Sequence, residues 1–321
     1  MAHHVAIVGL GGYAHVHAER FKELGAQLYF ASRSMPKAEE FAERYGGTPL
    51  PGLQGALGRA EVEGIVLCGP HDRHVSDATA VLAAGKSVLL EKPLARTVAE
   101  GRELKAAIHP DGPRLMLSEN YAFVPHLEAL RVRLPVIGKV RKVSVSHLRR
   151  YEPSGWRLDR NAMGGGLYID MGVHYLRMLH LLLGPIAQVR TTLFEHGNPE
   201  MEGESEIKTE FRFARGMEGD LHLSWDYTGE PWVDHFDIQG DAGSLQASLL
   251  KPEIRLITPN GETREEMPWS DRRGHHALAK AFLECLAGSP PQVDVDAGLQ
   301  DLDVVERAYA SAVDGGSWQG A

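Results

Sequence analysis

The first 120 residues repeat one unit: a short apolar run, a turn, and an amphipathic stretch with helical spacing. The runs HVAIVGL (4–10), QLYFAS (27–32), GIVLCG (64–69) and SVLLEKP (87–93) read as buried strands, and RLMLSENY (114–121) continues the series. Between them AHVHAERFKELG, PKAEEFAERYG, HVSDATAVLAAGK and TVAEGRELKAAIH set apolar residues three and four apart, and several close on glycine as a helix C-cap does. Strands that alternate with helices are joined by crossovers, so the region reads as a parallel, doubly wound α/β sheet.

Beyond residue 120 the rhythm changes. A helix, PHLEALRVRL (125–134), leads to KVRKVSVSHLRR (139–150), whose alternation suits a half-exposed strand. Three glycines then open GGGLYIDMGVHYLRML (164–179), an apolar helix. AQVRTTLFEH, SEIKTEFRFA, EGDLHLSWDY, VDHFDIQGD and EIRLITPNGE follow as strands joined by Gly, Asn and Asp turns, which indicates a mainly antiparallel sheet. HHALAKAFLECLAG and AGLQDLDVVERAYASAVDGG close the chain as helices. With domains of about 100 to 200 residues, the organisation expected is a doubly wound α/β domain over 1–120 and an α+β domain over 121–321.

The net charge of -9, with no basic face, argues against nucleic acid as a partner. No apolar run approaches the ~18 residues of a membrane span, and the N-terminus has no basic leader region, so no membrane association is expected. Cys68 and Cys285 each sit in an apolar run, which fits buried thiols in a reducing cytoplasm.

GLGGYA (9–14) has the form G-x-G-x-x-[GA], with Gly9, Gly11 and Ala14 in the special positions and Gly12 and Tyr13 beside them. Such a turn needs a tight bend, then a residue without a side chain where pyrophosphate approaches, then a small residue where helix meets strand. About 20 residues on, an NAD site offers a carboxylate to the ribose 2′-hydroxyl. Here the second strand ends on Ser32 and Arg33 with Lys37 shortly after, so NADP(H) is favoured over NAD(H). The alternative is that Arg33 and Lys37 simply face water. Gly69, Pro70, His71 and His74 after the third apolar run read as a cofactor-lining loop or as an ordinary polar one.

Glu91, Lys92 and Pro93 end the fourth apolar run, at the carboxyl edge where ligands of such sheets bind. Lys92 there can give a hydrogen bond to a substrate oxygen, and Pro93 can fix a turn through a cis bond. Asp170 and His174 are four apart and so share a helix face. They read as a helix-start charge with a core imidazole, as an acid–base pair, or as two ligands of a metal that lacks a third; no metal is expected. Trp156 and Arg157, in the loop before the glycines, suit a sugar face and an oxyanion, or an interdomain linker; Asn120 and Tyr121 are further substrate candidates.

GLGGYAHVHA, CGPHDRHV, LLEKPLA and GGGLYIDMGVHYL, in this order and spacing, resemble the Gfo/Idh/MocA family of oxidoreductases, and the resemblance runs to the closing VVERAYASAVDGG. It implies a Rossmann domain followed by an open-faced antiparallel sheet with helices on one side. It also implies copies associating through that sheet as a homodimer or homotetramer, and Lys92, Asp170 and His174 acting as the catalytic set. Two positions depart from the family pattern: Ser32 replaces a common acidic residue, and His71 with Asp72 follow Pro70 where asparagine or histidine is common. The activity implied is hydride transfer between nicotinamide and a carbinol or carbonyl carbon of a sugar-like or polyol substrate, with His174 handling the proton. A glycoside hydrolase that oxidises its substrate transiently with bound NAD, an imine reductase and a silent dinucleotide-binding sensor are the alternatives.

Overall fold

The computed structural model describes residues 2–194 and 197–320. The chain divides into two compact units, one holding the residues up to Glu119 with His275–Gln300, the other Asn120–Gly274 with the residues from Asp301 onward. The return of residues 275–300 to the first unit is an addition to the two contiguous domains expected from the sequence.

The first unit is built on β1 (His4–Val8), β2 (Gln27–Ser32), β3 (Thr48–Pro51), β4 (Gly64–Leu67), β5 (Ser87–Glu91) and β6 (Leu115–Ser118), all parallel, in the order β3-β2-β1-β4-β5-β6. The central strands are apolar throughout because helices cover both faces of such a sheet. One strand was not read from the sequence. TPLP (48–51) carries two prolines and pairs with β2 alone, and proline in a sheet belongs at an edge. The EKP segment therefore follows the fifth strand, not the fourth. Helix His275–Leu286 packs within this unit: its Phe282 meets Phe21 edge to face, and a Cβ at Gly64 would lie 2.9 Å from that ring.

The second unit carries β7 (Val140–Leu148), β8 (Ile186–Leu193), β9 (Glu206–Phe213), β10 (Glu218–Ser224), β11 (Val233–Gly240), β12 (Ser244–Ala247), β13 (Glu253–Thr258), β14 (Gly261–Glu266) and β15 (Gln319–Gly320). Their order is β14-β13-β12-β11-β7-β10-β9-β8-β15, antiparallel except between β7 and β10. The sheet is thus mainly antiparallel, as expected. The last two residues of the predicted strand AQVRTTLFEH lie outside the described residues. Burial alternates along β7 and β9; the buried face carries Val143, Val145, Phe236 and Ile238, and Phe236 meets helix Val173–Leu183 at Tyr175, whose ring lies 5.7 Å away. That helix is tied to Asp301 by Arg177 (2.7 and 3.0 Å) and His180 (2.9 Å), all three buried. The opposite face carries cross-strand polar pairs such as Arg190–Glu210 and His222–Glu206. Among the described residues no helix is long and apolar enough to cross a membrane, and no group of three or more His, Cys, Asp or Glu side chains is placed to hold a metal ion.

Candidate active site

In the first unit β1 and β4 are neighbours where the strand order reverses, the place at which ligands of such sheets bind. Gly9 leaves β1 with a φ of +86°, and a Cβ on it would lie 2.8 Å from the carbonyl carbon of Cys68, so only glycine fits the turn. Gly11 and Gly12 are the opposite case: a Cβ on either meets nothing within 4 Å. The helix Gly12–Glu23 that starts there has no side-chain cap and no acid in its first turn. No side chain occupies this helix start, and with the helix dipole behind it the start suits an anion. Ala14 is fully buried and its N–H bonds to Gly11 O at 3.2 Å, the small residue that close packing requires. These residues fit a dinucleotide pyrophosphate, and Tyr13, 39% exposed, stands beside them with its ring edge toward His275.

At the end of β2 the Ser32 hydroxyl accepts the Ser34 N–H at 3.1 Å. Arg33 and Lys37 are exposed, and their side chains make no hydrogen bond or ion pair among the described residues. His74 is fully buried, and its Nδ1 is 2.7 Å from the carbonyl oxygen of Pro93. Burial, reinforced by the neighbouring His71, lowers its pKa to about 4, so the ring is neutral and one N–H donates to that carbonyl. His74 thereby pins the Lys92–Pro93 turn, whose peptide bond is cis. Glu91 just before it is also committed: His17 Nε2 is 2.7 Å from Oε1 and the Ser118 hydroxyl donates to the same oxygen at 2.9 Å. Burial alone would push this carboxyl up, but the His17 bond and charge, the Lys92 charge and the Ser118 bond bring it down to about 2. Glu91 and His74 are thus a frame for buried Lys92. The sequence reading saw His17 only as a helix residue, because its partner is a strand away.

In the second unit the helix start departs from expectation. Gly164–Gly166 are not helical; Gly164 (φ +82°) ends a short turn of helix, Arg160–Met163. Tyr168–Gly172 is a π-helical turn, and regular α-helix begins only at Val173. The glycines are there for close approach. A Cβ on Gly165 would lie 2.2 Å from the Tyr309 hydroxyl, and one on Gly166 2.3 Å from the Glu204 carbonyl oxygen. Glu204 in turn accepts the Tyr168 N–H and the Tyr309 O–H, each at 2.8 Å. π turns cluster at functional sites, and this one carries Asp170, buried, with its Oδ2 accepting the Arg157 Nε–H at 3.1 Å. The Arg157 guanidinium lies 4.5 Å from the Trp156 ring centre. One turn on, the buried His174 ring is stacked on Tyr121 at 4.4 Å and 21°. Met171 is only half-buried, whereas Val173, Leu176 and Leu179 pack the helix as expected.

Of the sequence candidates, Trp156, Arg157 and Asp170 form one cluster and Tyr121 joins His174. Asn120 is turned to structure: its amide donates to the Arg273 carbonyl at 2.7 Å. Lys92 belongs to the first unit, Asp170 and His174 to the second. A network the sequence reading missed lies behind His174, where Asp234 Oδ2 takes the Tyr175 hydroxyl at 3.1 Å and faces His147 Nδ1 at 3.0 Å. The period-two burial of KVRKVSVSHLRR was the available signal, since it points His147 inward.

An open glycine turn at the reversal point of a 3-2-1-4-5-6 parallel sheet defines a dinucleotide-binding enzyme fold, here joined to a unit with a buried acid and histidine at one helix start. Residues 3–119 match the profile described as "Oxidoreductase family, NAD-binding Rossmann fold", and residues 132–246 match "GFO/IDH/MocA C-terminal domain". The chain is 33% identical over 248 residues to trans-1,2-dihydrobenzene-1,2-diol dehydrogenase of Mus musculus, covering 74% of this chain and 71% of that protein. It is 29% identical over 288 residues to dTDP-3,4-didehydro-2,6-dideoxy-alpha-D-glucose 3-reductase of Streptomyces violaceoruber, covering 85% of this chain and 81% of that one. Levoglucosan dehydrogenase in complex with NADH shares the fold at a TM-score of 0.91 and 19% identity, over 100% of this chain and 99% of that one. The chain belongs to the Gfo/Idh/MocA family and is an oxidoreductase with an NAD-binding Rossmann unit.

Proposed function

We propose that the chain transfers a hydride between NADP(H) and a carbinol or carbonyl carbon of a sugar-like or polyol substrate, with Lys92, Asp170 and His174 as its catalytic residues. The observation that carries this reading is the uncapped helix start over Gly11 and Gly12, with unpaired Arg33 and Lys37 at the end of the neighbouring strand. A 2′-phosphate supplies the charge those cations lack, whereas a bare 2′-hydroxyl does not. The names of the relatives, a sugar reductase and a diol dehydrogenase, support a hydroxyl- or oxo-bearing carbon as the reacting centre.

The bound dinucleotide supplies the hydride or accepts it. The protein's own groups handle charge and proton. His174 gives a proton to the substrate oxygen in reduction and takes it in oxidation. Its plane is set by the Tyr121 stack. Lys92 donates a hydrogen bond to that oxygen as negative charge builds on it. Asp170, held by Arg157, orients the neighbouring hydroxyl.

Keto-sugars, deoxy-sugars and polyols assayed with NADPH and with NADH, followed by nicotinamide absorbance, test both parts. Turnover that is faster with the phosphorylated cofactor is expected. Equal use of the two would overturn the cofactor choice, and no turnover across the panel would overturn the substrate class.

A further inference from the structure

Among the described residues, three buried side-chain nitrogens at one end of the second unit's sheet have no hydrogen-bond partner: His147 Nε2 on β7, Arg149 Nε just past it, and Trp225 Nε1 just past β10. Buried donors are normally paired, and each left without an acceptor carries its full desolvation cost. The strand register gathers the three into one patch. β7 and β10 run parallel with Leu223 beside His147, and the bonds from Arg149 N–H to Ser224 O and from Tyr151 N–H to Trp225 O continue the pairing, so Trp225 comes beside Arg149. β11 runs antiparallel on the other side with Val233 opposite Leu148, which brings Trp232 to Arg149. The guanidinium carbon lies 5.4 Å from the Trp232 ring centre and 4.9 Å from that of Tyr151.

This patch stands at the catalytic end of the unit. Alternate residues of a strand share a face, so Arg149 follows Val143, Val145 and His147 on the face covered by helix Val173–Leu183. That helix runs opposite to β7: Tyr175 near its start reaches Asp234 beside His147, while Leu182 and Leu183 at its end line a cavity of about 350 Å³ with Val140 at the start of β7. The π turn with Asp170, the helix start with His174 and the end of β7 therefore lie at the same edge of the unit.

Arg149 makes no ion pair among the described residues, and the two rings hold its plane. A fixed guanidinium without a carboxylate, beside an indole N–H without an acceptor, is complementary to an oxyanion. His147, with Nδ1 bonded to Asp234, has Nε2 left for a hydroxyl. We propose that the substrate is an anionic sugar, bearing a carboxylate or a phosphate, and that Arg149 and Trp225 bind its anionic group while Trp232 covers it. This rests on the proposed function for the reaction, but not for the binding.

The test separates the two. Binding of glucuronate, glucose 6-phosphate, dTDP-glucose and neutral glucose is measured by tryptophan fluorescence and calorimetry on the wild-type protein, on Arg149→Met, on Arg149→Lys and on Trp225→Phe, with nicotinamide absorbance read in parallel. At least one anionic ligand is expected to bind about 10-fold or more tighter than glucose, to lose that margin in Arg149→Met, to regain part of it in Arg149→Lys, and to weaken in Trp225→Phe. Circular dichroism on each variant reports folding, and if Arg149→Met does not fold, the wild-type margin and the Arg149→Lys shift decide. Anionic ligands that bind no tighter than glucose, or equally to wild-type and Arg149 variants, would overturn the proposal whatever the turnover. Selective binding without turnover would sustain it and count against the proposed reaction alone.

Discussion

At the scale of single residues, two buried histidines sit in different surroundings and are expected to respond differently to substitution. The buried His174 is stacked on the Tyr121 ring, which sets the plane of its imidazole. His174→Ala is expected to lower kcat by about 100-fold or more, the usual worth of a positioned acid–base group, and steady-state kinetics with unchanged cofactor affinity would show it. Loss of only a few-fold would remove His174 from the reaction. His74 is the structural case. Its folded pKa of about 4 lies below the ordinary 6.5 because burial disfavours the charged ring. Between those values the unfolded chain takes up a proton that the folded one refuses, so stability falls as pH falls from 6.5 toward 4. Urea unfolding across that window should show a slope that His74→Gln flattens by up to about 3 kcal/mol; an equal slope in both proteins would show that the buried ring does not govern it. Asp170 and His174 were legible from their spacing and motif. Tyr121 as the stacking partner of His174, Arg157 as the partner of Asp170, and His17 as the partner of Glu91 were not, because each contact joins segments that nothing in the local pattern connects.

At the scale of elements, glycine has two meanings in this chain, and they predict opposite outcomes. Gly165 is surrounded: φ is +153° and a Cβ would overlap the Tyr309 hydroxyl. Gly165→Ala should cost about 3 kcal/mol, through overpacking and backbone strain together, visible as a lowered Tm. Gly11 is open and has an ordinary φ of -92°. Gly11→Ala should leave Tm nearly unchanged yet weaken dinucleotide binding by about 10-fold, since the methyl group intrudes where the anion meets the helix start. Calorimetric melting and NADPH fluorescence titration on both variants check the contrast. The sequence marked both positions as special without telling them apart. Most helices and strands of the first unit were legible because apolar runs and periodicity report one local environment each. The edge strand β3, with its prolines, and the π turn at Tyr168–Gly172 were not, since proline argues against a strand and a π turn keeps the apolar character of an α-helix.

At the scale of the whole molecule, charge distribution matters more than its sum. A chain of net charge -9 repels an extra phosphate on average, so any preference for a phosphorylated dinucleotide has to come from local cations. The proposed preference rests on Arg33 and Lys37, whose side chains pair with no carboxylate among the described residues. Both are exposed, and an exposed attraction is screened by salt over a Debye length of about 10 Å at 0.1 M. The ratio of kcat/KM for NADPH over NADH should therefore shrink as salt is raised from 0.05 to about 0.5 M, while NADH values change little, because the 2′-phosphate is the only group by which the cofactors differ. The double variant Arg33→Ala/Lys37→Ala should start with that ratio lowered by about 10-fold or more and show little further dependence on salt. A ratio that survives both salt and substitution would locate the discrimination in buried contacts elsewhere in the first unit.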